Sequence, residues 1–299
     1  MTKRIVLTGA SGLIGTELVR VLHERGDDVH VLVRREPNGH NEHYWNPEKM
    51  QLDQGLLAKA DALISLNGTS VGRVPWTAAR KAQLWESRIG PTRMLSHAIR
   101  ALDSEAPLHW LSASATGYYG SQPGVTLRED SSPGDSFLAK LTVAWEAEAS
   151  TAGSHTRLAL LRTAPVLHPR GVLKPMMPLT KFGLAGPLAQ GTQYWPWISL
   201  DDEVRAILFV LDQGLQGPVN LAAPEAATAN DIGRALAAEL RRPFWLPAPE
   251  FALKLALSAD ASESLLTSNA RVVPERLLQS GFEFLHASPR AAIHASLTD

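Results

Sequence analysis

Apolar and polar positions follow two alternating rhythms along the first half of the chain. Ile5 to Leu7, Val29 to Val33, Ala62 to Leu66, Leu108 to Ser112 and Leu158 to Arg162 are short apolar runs of buried-strand length. Between the first two, Leu13, Ile14, Leu18, Val21 and Leu22 recur at helical spacing, so Leu13 to Arg25 is predicted as a helix with Gly26 as its stop. Thr77 to Leu102 and Phe137 to Ala152 also read as helices, the former with an expected interruption at Gly90-Pro91. Strands that alternate with helices, with no hairpin signal between them, imply parallel pairing through right-handed crossovers. Repetition of that unit predicts an α/β fold with a doubly wound parallel sheet.

The rhythm changes after Pro165. Residues 165–197 carry many Pro and Gly and read as a long covering loop, followed by an amphipathic helix over Asp201 to Leu211 and a strand over Gly217 to Leu221. From Thr228 onward, prolines at 243, 247, 249 and 274 divide the chain into short helices. The expected organisation is a nucleotide-binding domain over 1–165, to which about 195–222 returns, and a smaller, mostly helical substrate-side domain over 166–299.

Composition narrows the class. Lys plus Arg (29) nearly balances Asp plus Glu (30), which gives no footprint for nucleic acid or an anionic membrane. The absence of cysteine excludes disulfides and thiolate catalysis and suits the cytoplasm. Met1-Thr2-Lys3-Arg4 leads straight into an apolar strand rather than a signal-peptide core, and no run approaches the ~20 apolar residues that span a bilayer. A soluble cytoplasmic protein is expected. The ten histidines show no metal-ligand spacing, so no metal is expected.

The chemistry begins at Thr8-Gly9-Ala10-Ser11-Gly12-Leu13-Ile14-Gly15, a T-G-x-x-G-x-x-G turn that follows a strand and opens a helix. Glycines permit the tight turn and let backbone N–H groups of Gly9, Ser11, Gly12, Leu13 and Ile14 approach a pyrophosphate; Gly15 lets the helix pack close to the sheet. In that context the motif predicts a dinucleotide. NAD-specific folds place Asp or Glu roughly 20 residues beyond the glycines. This chain has Arg34 and Arg35, whose guanidinium groups suit a 2′-phosphate. NADP(H) is the expected cofactor; the alternative is a pair of solvated surface arginines.

These features, with Trp76 through Thr92, Ser114-Ala-Thr-Gly-Tyr-Tyr-Gly120, Trp145-Glu146, Trp197-Ile-Ser-Leu-Asp201 and Val273-Pro274, resemble the extended short-chain dehydrogenase/reductase superfamily. More narrowly, they are similar to its epimerase family branch of atypical members with a distinctive C-terminal domain. The resemblance implies a Rossmann domain, a small-molecule substrate, and a homodimer through the helix around Phe137 to Ala152. It also implies a Tyr–Lys proton relay, which this chain lacks. Tyr44, Tyr118, Tyr119 and Tyr194 are followed four residues later by Glu48, Gln122, Pro123 and Ile198. Counting back from Glu146 places Leu138 where the tyrosine belongs and Thr142 where the lysine belongs.

The resemblance leaves Ser114 at the catalytic serine position and Ser112 at the strand end beneath the nicotinamide; local backbone bonding is the competing role for each. Tyr118 and Tyr119 stand on the loop that follows, either catalytic or packed. Arg88 replaces a common asparagine near the cofactor and counts among the cofactor-binding residues, holding a phosphate or an anionic substrate; the alternative is a helix-surface ion pair. Gly68, in Ser65-Leu66-Asn67-Gly68, keeps the backbone close to the cofactor, whereas Lys140 is expected at the surface. Tyr194, Trp195 and Trp197 either wall a pocket or pack a core. Two functions remain open: an NADP(H)-dependent oxidoreductase or epimerase-like enzyme on a small polar substrate, in which Ser114 with Tyr118 or Tyr119 polarises a carbonyl, and a non-catalytic NADP(H)-binding redox sensor.

Overall fold

The computed structural model describes residues 2–102, 108–153 and 156–298; Met1 of the N-terminal reading lies outside them. The chain runs β1 (Arg4–Thr8), α1 (Leu13–Glu24), β2 (Asp28–Val33), β3 (Glu42–Tyr44), α2 (Gln54–Ala58), β4 (Ala62–Ser65), α3 (Ala78–Arg100) and β5 (Leu108–Ala115). A 3-10 turn (Thr116–Tyr119), β6 (Thr126–Leu127), α4 (Phe137–Ser150) and β7 (Thr156–Thr163) follow. Then come α5 (Met176–Lys181), β8 (Tyr194–Trp195), α6 (Leu200–Gln213), β9 (Gly217–Leu221), β10 (Ala227–Thr228) and α7 (Ala229–Glu239). The chain closes with α8 (Glu250–Leu257), α9 (Ala259–Ser262), β11 (Arg271–Val272), α10 (Glu275–Gln279) and α11 (Pro289–Thr298).

Seven strands form one sheet in the order β3-β2-β1-β4-β5-β7-β9, and every pairing in it is parallel. The doubly wound α/β fold expected from the sequence is therefore the observed one. Strand alternation divides the core between two faces. Ile5, Leu7, Ile64, Leu111 and Leu161 pack with Leu18 of α1 and Ile207 of α6, while Val6, Leu63, Trp110 and Leu160 pack with Met94, Leu95 and Ile99 of α3. β9 joins the sheet beside β7, so Gly217–Leu221 returns to the first half of the chain.

Helix α3 runs without a break through Pro91, against the interruption expected at Gly90-Pro91. Thr77 caps it by accepting the Arg80 N–H at 3.2 Å. An interior proline costs about 3 kcal/mol. Leu84, Ile89, Met94, Leu95 and Ile99 are all buried on this helix, and each such side chain contributes ~1.5–3 kcal/mol. Packing therefore outweighs the missing hydrogen bond.

The proline-rich stretch after β7 contains α5 and β8, the latter pairing antiparallel with β10. Trp195 and Trp197 are buried with Leu167, Ile232, Leu236 and Ile293 in the core of the C-terminal region. Their indole N–H groups donate to the Leu266 and Glu225 carbonyls, so both are packing residues. Among the described residues no helix is long and apolar enough to cross a membrane.

Candidate cofactor and substrate site

Register places the candidate residues along one edge of the sheet. Thr8 lies opposite Leu32 and Ser65, Ser65 opposite Ser112, and Ala115 opposite Thr163. The glycine turn after β1, Arg34 after β2, Gly68 after β4 and Ser114 on β5 therefore emerge together at the C-terminal edge. The strand order reverses between β1 and β4, and the crevice outside that point is where open α/β sheets receive ligands.

Geometry shows why the turn needs glycine. Gly9 has φ +77°, and a Cβ there would lie 2.4 Å from the Leu66 carbonyl oxygen; at Gly15 it would lie 2.2 Å from the Gly9 carbonyl oxygen. The Gly12 N–H donates to Gly9 O at 3.0 Å, and the Thr16 hydroxyl braces the turn by donating to Gly12 O at 2.8 Å. Helix α1 has no side-chain cap and no acidic residue in its first turn, whereas Thr77, Ser136, Ser199 and Thr228 cap α3, α4, α6 and α7. Its first N–H groups, including those of Leu13 and Ile14, and its dipole thus remain available to an anion. Ser11 is exposed on the turn. Gly171, in the loop after β7, lies against Leu13, so that loop passes over the start of α1.

The two arginines after β2 separate. Arg35 gives both terminal nitrogens to Glu42, at 2.7 and 2.5 Å. Arg34 is exposed and makes no ion pair or side-chain hydrogen bond among the described residues. The cradle, the uncapped helix and the free Arg34 guanidinium fit a dinucleotide with a 2′-phosphate. Glu42, distant by spacing from the arginine pair, is what the sequence reading missed.

On the β5 and β7 side of the sheet edge lies a buried polar network. Ser114 donates to Glu146 Oε1 at 2.5 Å; Glu146 receives Arg162 Nε and Nη2 bidentately, each at 2.8 Å. Arg162 Nη1 donates to the Tyr119 hydroxyl at 2.9 Å and to the Glu129 carbonyl at 3.0 Å, and Tyr119 donates to Asn220 Oδ1 at 2.6 Å. Burial works against the Arg162 charge, but the Glu146 carboxylate overcomes it and holds the guanidinium above its ordinary pKa. Burial pushes the Tyr119 phenol up to about 12. Tyr119 is thus a network member, with no proton to exchange near neutrality; the catalytic role expected of it does not fit its surroundings.

Tyr118 differs. It is half-buried, its ring stacks 3.6 Å from the Arg162 guanidinium carbon, and its hydroxyl has no hydrogen bond among the described residues. Ser112 is fully buried, with only a 3.5 Å contact from its hydroxyl to the Ala113 carbonyl. Leu138 packs against Gly117, and the buried Thr142 turns its hydroxyl onto the Leu138 carbonyl at 2.7 Å. Lys140 is exposed. Arg88 makes no ion pair among the described residues: it is half-buried, against Gly68, where φ is +149° and a Cβ would come within 2.9 Å of the guanidinium carbon. Glu203, on α6, was not singled out from the sequence. It is fully buried, accepts from Thr163 Oγ1 at 2.8 Å, and leaves its second oxygen unpaired; burial pushes it up to about 8 although that hydrogen bond pulls the other way.

The fold and edge define a Rossmann-type nucleotide-binding protein. The profile of the NAD dependent epimerase/dehydratase family matches residues 5–222, and that of a domain of unknown function (DUF1731) matches residues 248–295. The chain belongs to the epimerase family. It is 40% identical over 285 residues to an epimerase family protein of Mycobacterium bovis, covering 94% of this chain and 93% of that one. Identity to the epimerase family protein YfhF of Bacillus subtilis is 32%, over 99% of this chain and 98% of the other. Among solved structures, human epimerase family protein SDR39U1 with NADPH superposes with a TM-score of 0.89 at 27% identity, covering 99% of both chains.

Proposed function

We propose that the protein is an NADP(H)-dependent oxidoreductase or epimerase-like enzyme acting on a small molecule. The observation that carries this reading is the glycine cradle at an uncapped helix start, with Arg34 free at the same sheet edge while Arg35 is committed to Glu42. The human relative crystallised with NADPH supports the same cofactor. The α1 N–H groups would hold the diphosphate and Arg34 the 2′-phosphate, and Gly68 would let the backbone pass close to the cofactor. When bound, the cofactor supplies hydride acceptance or donation.

The chain's own residues set the proton chemistry. Ser114 gives its hydrogen to Glu146, so what it has left for a substrate is an acceptor for a hydroxyl rather than a donor that polarises a carbonyl. The Tyr118 hydroxyl is the uncommitted donor for a carbonyl oxygen. Leu138 and Thr142 contribute no proton. The test is NADPH oxidation against a panel of aldehydes and ketones: turnover above 10 times background that Tyr118→Phe lowers at least ~10-fold supports this assignment, and turnover unchanged by Tyr118→Phe and Ser114→Ala overturns it.

A second reading, a non-catalytic NADP(H)-responsive protein, is favoured by the commitment of both Ser114 and Tyr119 to the buried network. Saturable NADPH binding with no turnover on that panel selects it.

A further inference from the structure

Three donor groups surround the loop that follows β4, and none has an anionic partner among the described residues. Arg88 gives Nη1 to the Leu84 carbonyl at 3.0 Å and to Ser87 Oγ at 3.3 Å, and Nη2 to the Thr69 carbonyl at 3.1 Å. Its Nε–H, along the edge facing Gly68, has no hydrogen bond among the described residues. Arg80 gives its terminal nitrogens to the Ser70 carbonyl and to Gln83, and leaves Nε buried without a partner. Asn67 Nδ2 is likewise buried and unpaired.

Buried donor atoms such as Arg80 Nε and Asn67 Nδ2 are costly unless an acceptor completes them. Arg162 in the same protein shows the completed form, held bidentately by Glu146. Arg88 instead has burial and the like charge of Arg80 lowering its pKa to about 10. A ligand with negative oxygen atoms would supply the acceptor that Arg88 Nε, Arg80 Nε and Asn67 Nδ2, all beside one loop, lack among the described residues.

The surroundings of Arg88 are apolar. Its guanidinium carbon lies 5.3 Å from the Trp145 ring centroid, and Trp145 belongs to a cluster with Trp76, Leu84, Ile89 and Leu141, against which Phe137 and Leu138 pack. Leu138 occupies the position where the relay tyrosine would stand. An anion at Arg88 would stand beside hydrocarbon on helix α4, whereas a bound cofactor's charges would be met by the α1 N–H groups and Arg34.

We propose that Arg88, with Arg80 and Asn67 around the same loop, receives the carboxylate of a small organic acid whose apolar body lies along the half-buried Phe137 and Leu138. This deepens the reading above and rests on the cofactor lying on the glycine turn.

Two probes test it by calorimetry, 4-phenylbutanoate and its neutral analogue 4-phenylbutanamide, each titrated into the protein with and without saturating NADPH. The acid is expected to bind at least ~10-fold tighter than the amide, a charge-assisted preference. Arg88→Gln is expected to abolish that preference while the Kd for NADPH stays within about twofold, and Arg88→Lys to keep part of it. Equal binding of acid and amide, or binding of neither, overturns the inference. A ~10-fold loss of NADPH affinity in Arg88→Gln overturns it differently, by assigning the guanidinium to the cofactor's diphosphate. If Arg88→Gln fails to fold by circular dichroism, Arg80→Gln replaces it, with the same loss of preference expected. Wild-type protein that binds NADPH but not the acid sinks this inference alone; acid binding that depends on Arg88, with no NADPH binding, sinks only the cofactor reading.

Discussion

Ser114 on β5 and Glu146 on α4 are joined by a 2.5 Å hydrogen bond in which the serine is the donor, and the same carboxylate holds Arg162 on β7 through both oxygens. The bond fixes which way the Ser114 proton points and ties the helix to two central strands. Removing one member of a buried ion pair leaves an uncompensated charge and costs ~3–5 kcal/mol. Glu146→Gln is thus expected to lower unfolding free energy by about that amount, while the double change Glu146→Leu with Arg162→Met costs less than Glu146→Gln alone. Urea denaturation of the two variants checks this; a Glu146→Gln protein as stable as wild type contradicts it.

The two neighbouring tyrosines are expected to divide cleanly. Tyr119→Phe leaves Asn220 and Arg162 short of a buried partner, at a cost of about 1–3 kcal/mol. The phenol lies at about 12, so any activity keeps its pH profile between pH 6 and about 9. Tyr118→Phe has the opposite signature, with stability little changed and turnover reduced. A Tyr119→Phe protein with normal stability and an altered pH profile would reverse these roles.

Glu203 gives a pH-dependent prediction with a definite sign. Its pKa in the folded state, about 8, stands above the ordinary 4.5, so the folded protein binds the extra proton. The stability tied to that proton is fully present below the unfolded value and is lost as pH rises through the folded one, at up to ~1.4 kcal/mol per unit. Glu203→Gln, which stays neutral, should gain in Tm relative to wild type on going from pH 5 to pH 9. An equal Tm difference at both pH values contradicts a buried, neutral carboxyl.

Gly15→Ala tests the cradle without touching any charge. The new methyl would meet the Gly9 carbonyl oxygen at 2.2 Å, so the turn must shift. NADPH affinity is expected to fall at least ~10-fold, a loss of 1.4 kcal/mol or more, and calorimetry reads it directly. Unchanged affinity would show that the ligand does not depend on this turn.

The fold was legible because its signals are local. Each strand run and the Gly9–Gly15 turn can be read from neighbouring residues. Continuity of α3 through Pro91 was not, since the packing that overrides the proline comes from distant segments. The same limit applies at the site. The resemblance, counted from Glu146, put Leu138 and Thr142 where a titrating pair would stand, but Tyr119 takes its partners from Arg162 and Asn220, far along the chain. The Asp201–Leu211 pattern gave an amphipathic helix and nothing of its buried carboxyls: Asp202 is buried and accepts the Leu285 and His286 N–H groups at 2.8 and 2.9 Å, and Glu203 is buried beside it. Arg34 and Arg35 read alike in the sequence; only the approach of Glu42 distinguishes them.

The central claim, a site for NADP(H) read by Arg34, is tested most directly by fluorescence titration with NADPH and with NADH, on wild-type protein, Arg34→Ala and Arg35→Ala. Wild type should bind NADPH at least ~10-fold tighter than NADH, Arg34→Ala should erase that preference, and Arg35→Ala should retain most of it. Equal binding of the two nucleotides by wild type, or a preference that survives Arg34→Ala, would contradict the account.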